Sequence, residues 1–176
     1  MFHKIAVALD YSEFSDKILS EAISLTKTMS AQLRLLNVLS LEDGARYQFS
    51  MYPGGFYSGL SEMQFEQSRE EWTEFQNRSL RLLEADLETV KAAGVSAELC
   101  QLYGSPGKSL CDFAQSWGAD LILMGRHGRT GLSELFLGSV SNYVLHHAHC
   151  AVLTLNVPSK PRKESAEAES LTTTVT

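Results

Sequence analysis

The sequence is poor in cysteine and proline, holds no long apolar run and carries no surplus of positive charge. Its three cysteines are Cys100, Cys111 and Cys150. An odd count at wide spacing gives no disulfide framework, so reduced thiols and a cytoplasmic protein are expected. The apolar run Ile5 to Leu9 is too short for the core of a signal peptide, and no stretch approaches the ~20 apolar residues of a membrane span. Lysine and arginine total 15 against 21 acidic residues, a formal net charge of −6. Bulk charge therefore does not favour a nucleic acid backbone, and neither nucleic acid nor membrane is an expected partner. A small anion can still bind where donors gather locally. With 44% hydrophobic and 20% charged residues, the chain is neither collagen-like nor mostly disordered. Its 176 residues fit one domain that buries roughly 70% of its unfolded surface. There is no internal repeat.

What is present is an alternation of strand and helix patterns. Residues 3–9 read as a buried strand closed by Asp10. Phe14, Ile18, Ala22, Leu25 and Met29 fall at helical spacing, which predicts an amphipathic helix ending near Ser30, with Ser12 or Ser15 as its N-cap. A second strand spans Gln32 to Leu39. A long helix is predicted over 63–93, with Trp72, Phe75, Ser79, Leu83, Leu87 and Val90 facing inward and Gly94 ending it. A third strand runs from Val95 to Tyr103, a helix from Ser105-Pro106 to Gly118, and a fourth strand from Asp120 to Met124. A helix over 139–147 and a last strand from Ala151 to Val157 complete the series. Such alternation implies an α/β fold: a parallel sheet with helices on both faces and right-handed crossovers.

Two segments stand apart. Residues 40–62 hold Gly44, Pro53, Gly54, Gly55 and Gly59 among Tyr47, Phe49, Tyr52, Phe56 and Tyr57. They read as a long loop, either a flap packed on its own aromatics or a lid or contact surface. Residues 158–176 balance their charges and are expected to form a disordered tail, leaving residues 1–157 as the domain.

The chemistry concentrates in Gly125-Arg126-His127-Gly128-Arg129-Thr130-Gly131 and in Gly138-Ser139-Val140-Ser141. The first stretch leaves the carboxyl end of the fourth strand, the edge where open parallel sheets bind ligands. Gly125 and Gly128 are expected to allow close backbone approach and positive φ. Gly138-Ser139 opens the last helix, whose first turn presents unpaired N–H groups and a positive dipole end. Ser139 and Ser141 can add hydroxyl donors, and Arg126, His127 and Arg129 add local positive charge. Together these predict a phosphate cradle.

The spacing of Gly125, Gly128, Gly138 and Ser139 resembles the nucleotide motif of the universal stress protein family. The likeness extends over residues 2–157. It includes Val7-Ala8-Leu9-Asp10-Tyr11-Ser12, Leu36-Asn37-Val38 and Ala119-Asp120-Leu121-Ile122-Leu123-Met124-Gly125. It implies an open five-stranded parallel sheet of order 3-2-1-4-5, like that of the adenine nucleotide alpha hydrolases. It also implies an adenine nucleotide (ATP, ADP or AMP, with or without Mg2+). By position, Ala8 and Asp10 would line the adenosine side, Val38 would meet adenine through its backbone, and Met124 and Gly125 would flank the ribose. Arg126, His127, Gly128, Gly138, Ser139, Val140 and Ser141 would surround the phosphates. The family also implies a homodimer paired through the last strand, Ala151 to Val157. Ala8 and Ala151 stand where relatives often carry proline.

Three other patterns have blander readings. Gly104-Ser105-Pro106-Gly107-Lys108-Ser109 suggests a P-loop, but Leu102 stands where its first glycine belongs and Pro106 removes a donor. It reads as a capped helix start. His146, His147, His149 and Cys150 lack a second ligand cluster, so no metal site is expected. Asp10 reads either as a strand-end cap or as a ligand contact. No second carboxylate joins it in the motif loops to hold a metal for phosphoryl transfer. The expected function is a nucleotide-binding dimer in stress sensing or signalling. A slow ATPase and a nucleotide-free interaction protein are the alternatives.

Overall fold

The computed structural model describes residues 1–12, 14–40, 62–126 and 138–156. The elements are β1 (Lys4–Ala8), α1 (Ser15–Met29), β2 (Gln32–Leu39), α2 (Glu62–Ala92), β3 (Ala97–Tyr103), α3 (Pro106–Trp117), β4 (Leu121–Gly125), α4 (Ser139–His147) and β5 (Ala151–Leu155). The sheet order is β3-β2-β1-β4-β5, and every pairing is parallel. The expected five-stranded architecture is therefore present.

Side chains alternate across the strands and divide the core in two. Ile5, Val7 and Leu9, with Leu33, Leu35, Leu121 and Leu123, meet Ile18, Leu19 and Ala22 of α1 and Leu83 and Val90 of α2. On the other face Ala6, Leu36, Ile122 and Met124 meet Leu110, Cys111 and Ala114 of α3 and Val144 of α4. Central strands buried on both faces explain their uninterrupted apolar sequence.

The amino edge of the sheet is built for closure. The Asp120 carboxylate accepts the backbone N–H groups of His3 at 2.7 Å and Lys4 at 2.8 Å, stapling β1 to the start of β4. These bonds hold its carboxyl below the usual range. Three helices return to this edge through left-handed caps: Ser30 at φ 53°, Gly94 at φ 77° and Gly118 at φ 70°. Beyond α2, the Gly94 N–H reaches the Lys91 carbonyl and the Val95 N–H reaches the Val90 carbonyl. That paired bond pattern consumes Val95 in the cap, so β3 begins at Ala97 rather than at Val95.

Two local expectations are corrected. The N-cap of α1 is Phe14, with no side-chain cap bond, rather than a serine. Ser15 is already helical and buried, with its hydroxyl 3.4 Å from Asp10 Oδ1. The last strand ends at Leu155. Val157, the tail 158–176 and most of the 40–62 loop with its aromatics lie outside the described residues.

Candidate functional site

Strand order reverses between β1 and β4, so the crevice at their carboxyl ends is where such a sheet admits a ligand. The β1–β4 register pairs Val7 with Leu123. Ala8 and Met124 follow that last pair on their strands, and Asp10 and Arg126 lie just beyond the strand ends. On the next strand Val38 belongs to the last turn of the β2 ladder, opposite Leu102 of β3. Ala8, Val38 and Met124, expected site residues from three separate strands, thus lie at one edge of the sheet.

The α4 side is tied to this edge by a set of short bonds. The Gly138 N–H donates to the Arg126 carbonyl at 3.0 Å, and the Arg126 N–H donates to the Leu155 carbonyl at 2.9 Å. Ser141, buried, has its hydroxyl 3.0 Å from the Arg126 carbonyl and 2.9 Å from the Gly138 carbonyl. Its proton is therefore directed to protein carbonyls, and the residue works as a strut. Gly138 caps α4 at φ −60° and ψ 154°, an extended conformation. The first helical bond runs from the Asn142 N–H to the Gly138 carbonyl. The N–H groups of Ser139, Val140 and Ser141 precede it and have no intrahelical acceptor. Ser139 is exposed and Val140 half-buried, the latter packed on the α3–α4 core.

Gly125 departs from expectation. It lies within β4 opposite Leu155, and the described glycines with positive φ are Gly94, Gly104 and Gly118. Gly125 is an extended strand residue, not a left-handed turn. His127, Gly128 and Arg129 lie outside the described residues.

On the β1 side, Asp10 Oδ1 accepts the Ser12 N–H at 3.0 Å and lies 3.4 Å from the Ser15 hydroxyl. The carboxylate thereby folds the chain from β1 into α1, with Tyr11 between at φ 57°. The Tyr11 phenol oxygen is buried without a hydrogen-bond partner among the described residues. The Ser79 hydroxyl near it goes to Asn37 Oδ1 at 2.8 Å. Burial, then the charge of Asp86, push the Tyr11 phenol above its usual range, and Ser79 works weakly the other way. Asp86 is itself raised to about 6, by burial first and by the charge of Asp16 second.

Asn37 and Ser79 are the residues whose part in the edge the sequence did not announce. Asn37 is 1% exposed and its Nδ2 donates to the Leu9 carbonyl at 2.8 Å. A lone polar residue inside Leu35-Leu36-Asn37-Val38 was the available signal.

The remaining patterns fall at the start of α3 and around the end of α4. Ser105 caps α3 with Pro106 in its first turn, and Lys108 pairs along the helix with Asp112. His147 stacks on Tyr143 with ring centroids 4.0 Å apart, and its Nδ1 lies 2.8 Å from the Tyr143 carbonyl. Among the described residues no group of three metal-ligating side chains forms, and no helix is long and apolar enough to cross a membrane. All three cysteines are free thiols, and burial pushes each above its usual range.

Known proteins share this architecture. A model described as the universal stress protein family matches residues 1–156. A universal stress protein of Synechocystis sp. is 39% identical over 153 residues, which cover 86% of this chain and 96% of that protein. The solved structure of a universal stress protein from Lactobacillus plantarum has the same fold, with a TM-score of 0.68 at 19% identity, covering 88% of this chain and 97% of that one. A universal stress protein from Archaeoglobus fulgidus, solved in complex with dAMP, gives a TM-score of 0.53 at 19% identity over 86% of this chain and 96% of its own.

Proposed function

The chain belongs to the universal stress protein family, and from that premise we propose that it binds an adenine nucleotide (ATP, ADP or AMP) along the crevice between β1 and β4. The observation that carries this reading is the bonding of α4 to the end of β4. Gly138 and Ser141 both meet the Arg126 carbonyl, which holds the unpaired N–H groups of a helix start at the ligand edge of the sheet. That arrangement suits phosphate in both hydrogen bonding and dipole sign. The dAMP complex of the Archaeoglobus relative supports the choice of adenine.

In this reading Ala8 and Asp10 border the adenosine, and Val38 meets the base through its backbone. Met124 and Gly125 flank the ribose. Arg126, His127, Gly128, Gly138, Ser139, Val140 and Ser141 surround the phosphates. Ser141 acts there through the stem it braces. Mg2+, where it accompanies the nucleotide, would be held by the phosphates and would neutralise part of their charge.

Binding rather than turnover is favoured by the state of Asp10, whose Oδ1 already accepts the Ser12 N–H and neighbours the Ser15 hydroxyl. A carboxylate engaged in shaping a turn is poorly placed to activate water. The protein would act as a cytoplasmic stress sensor or signalling dimer. The dimer would form through β5, the edge strand of the sheet.

Calorimetric titration with ATP, AMP and GTP, with phosphate release followed in parallel, tests this. Adenine-selective binding without turnover is expected. Saturable phosphate release that disappears in Asp10→Ala would make the protein an ATPase. Heat from no nucleotide would leave it an interaction protein.

A further inference from the structure

The β1–β2 ladder ends in an unusual way. The Leu9 N–H donates to the Leu36 carbonyl at 2.8 Å, one bond beyond the last paired residues, Ala8 and Leu36. In a parallel ladder the next bond would run from the Val38 N–H to the Leu9 carbonyl. That carbonyl instead receives Asn37 Nδ2 at 2.8 Å. A carbonyl can only accept, so it fixes the amide orientation: nitrogen toward Leu9, oxygen toward Ser79 of α2, whose hydroxyl donates at 2.8 Å. Both ends of the amide are satisfied inside the core.

Backbone parity then places Val38. The Leu36 carbonyl faces β1, and the peptide groups of Val38 face the same side. There β1 has run out, and the carboxyl edge begins. We infer that Asn37 is a positioning residue for nucleobase recognition: by occupying the Leu9 carbonyl it stops the ladder and leaves the Val38 N–H and C=O turned toward the base. Adenine offers N1 as an acceptor and its 6-amino group as a donor, the complement of one backbone N–H and one C=O. Hypoxanthine reverses both. The role rests on the adenine-nucleotide reading above and deepens it. Asn37 touches no ligand; it acts through Leu9 and Val38. Ser79 holds the amide from the other side and brings α2 into the same arrangement.

The test has a nucleotide-free arm and a binding arm. In the protein without nucleotide, hydrogen exchange at the Val38 amide is fast in the wild type. In Asn37→Leu the ladder bond closes, and exchange slows about tenfold or more. In the binding arm, Asn37→Leu weakens ATP about tenfold, as expected for a lost pair of base hydrogen bonds. The preference for ATP over ITP falls with it, and affinity for inorganic tripolyphosphate is unchanged. Asn37→Asp, nearly the same shape but without the donor, loses the base preference too and serves if the leucine variant fails to fold. Ser79→Ala keeps the bond to Leu9 and most of the preference. A parallel loss of ATP, ITP and tripolyphosphate would make Asn37 a packing residue and overturn the role. So would Val38 exchange that is the same in wild type and variant. Absence of nucleotide binding in the wild type, with Val38 exchange moving as expected, would overturn the adenine reading and the base-recognition role together, while the ladder's ending at Asn37 would stand.

Discussion

Ser141, in the first turn of α4, sends its hydroxyl to the carbonyl of Arg126 at 3.0 Å. Together with the Gly138 N–H on the same carbonyl, this fixes the distance between the end of β4 and the start of α4. Ser141→Ala should cost about 1 kcal/mol, the net worth of a buried hydrogen bond. Thermal unfolding should show this as a fall of about 2–4 °C in Tm. ATP affinity should fall about fivefold or more as the helix start loosens. A variant with lower Tm and unchanged ATP affinity would separate the stem from the site.

Much of this edge was legible in the sequence. The strands and helix faces followed from uninterrupted apolar strands alternating with amphipathic stretches, the strand order from the resemblance to the universal stress protein family, and the start of α4 from Gly138-Ser139. What escaped had tertiary causes. Ser12 and Ser15 looked like N-caps, but Asp10 at the strand end takes the Ser12 N–H, and Phe14 becomes the cap. Gly125 looked like a turn glycine, yet β5 pairs with it and keeps it extended. The Asn37–Ser79 bond joins residues 42 apart in the chain, a separation that no local pattern reports.

The packing of α3 on α4 depends on Gly107. A Cβ there would lie 2.7 Å from Tyr143 Cδ1 and 2.9 Å from Tyr143 Cβ, and neither contact can be relieved by the tip of a side chain alone. Gly107→Ala should therefore destabilise the protein by about 1–2 kcal/mol, overpacking outweighing the gain in helix propensity. A rise in Tm, as propensity alone dictates, would refute the close contact. Because α4 must shift, ATP binding should weaken as well.

Asp86 gives a pH signature. Its folded pKa of about 6 lies above its ordinary value of 3.8, so the folded protein holds this proton more tightly than the unfolded chain. The resulting stability is present at low pH and is lost as pH rises through about 6. Asp86→Asn should therefore stabilise above about pH 7 and be near neutral at about pH 4. The group is half-exposed, so screening reduces the gain to about 1 kcal/mol. Melting curves at the two pH values check the sign; stabilisation confined to acid would contradict it.

The exposed edge of β5 makes the assembly testable. Leu153 is 40% exposed on this strand, where a dimer partner would cover it. Sedimentation equilibrium should find a dimer for the wild type and a monomer for Leu153→Lys, each with a native melting transition. A wild-type monomer at all concentrations would remove β5 as an interface.

The most direct measurement is an ATP titration of the wild type against Gly138→Val. Gly138 sits at φ −60° and ψ 154°, a conformation that valine adopts without strain, so the variant should fold. Its side chain would stand before the N–H groups that receive the phosphates. The account predicts ATP binding by the wild type and a loss of about hundredfold or more in the variant, with the melting transition retained. Equal affinity in the two proteins, or no binding by either, would contradict it.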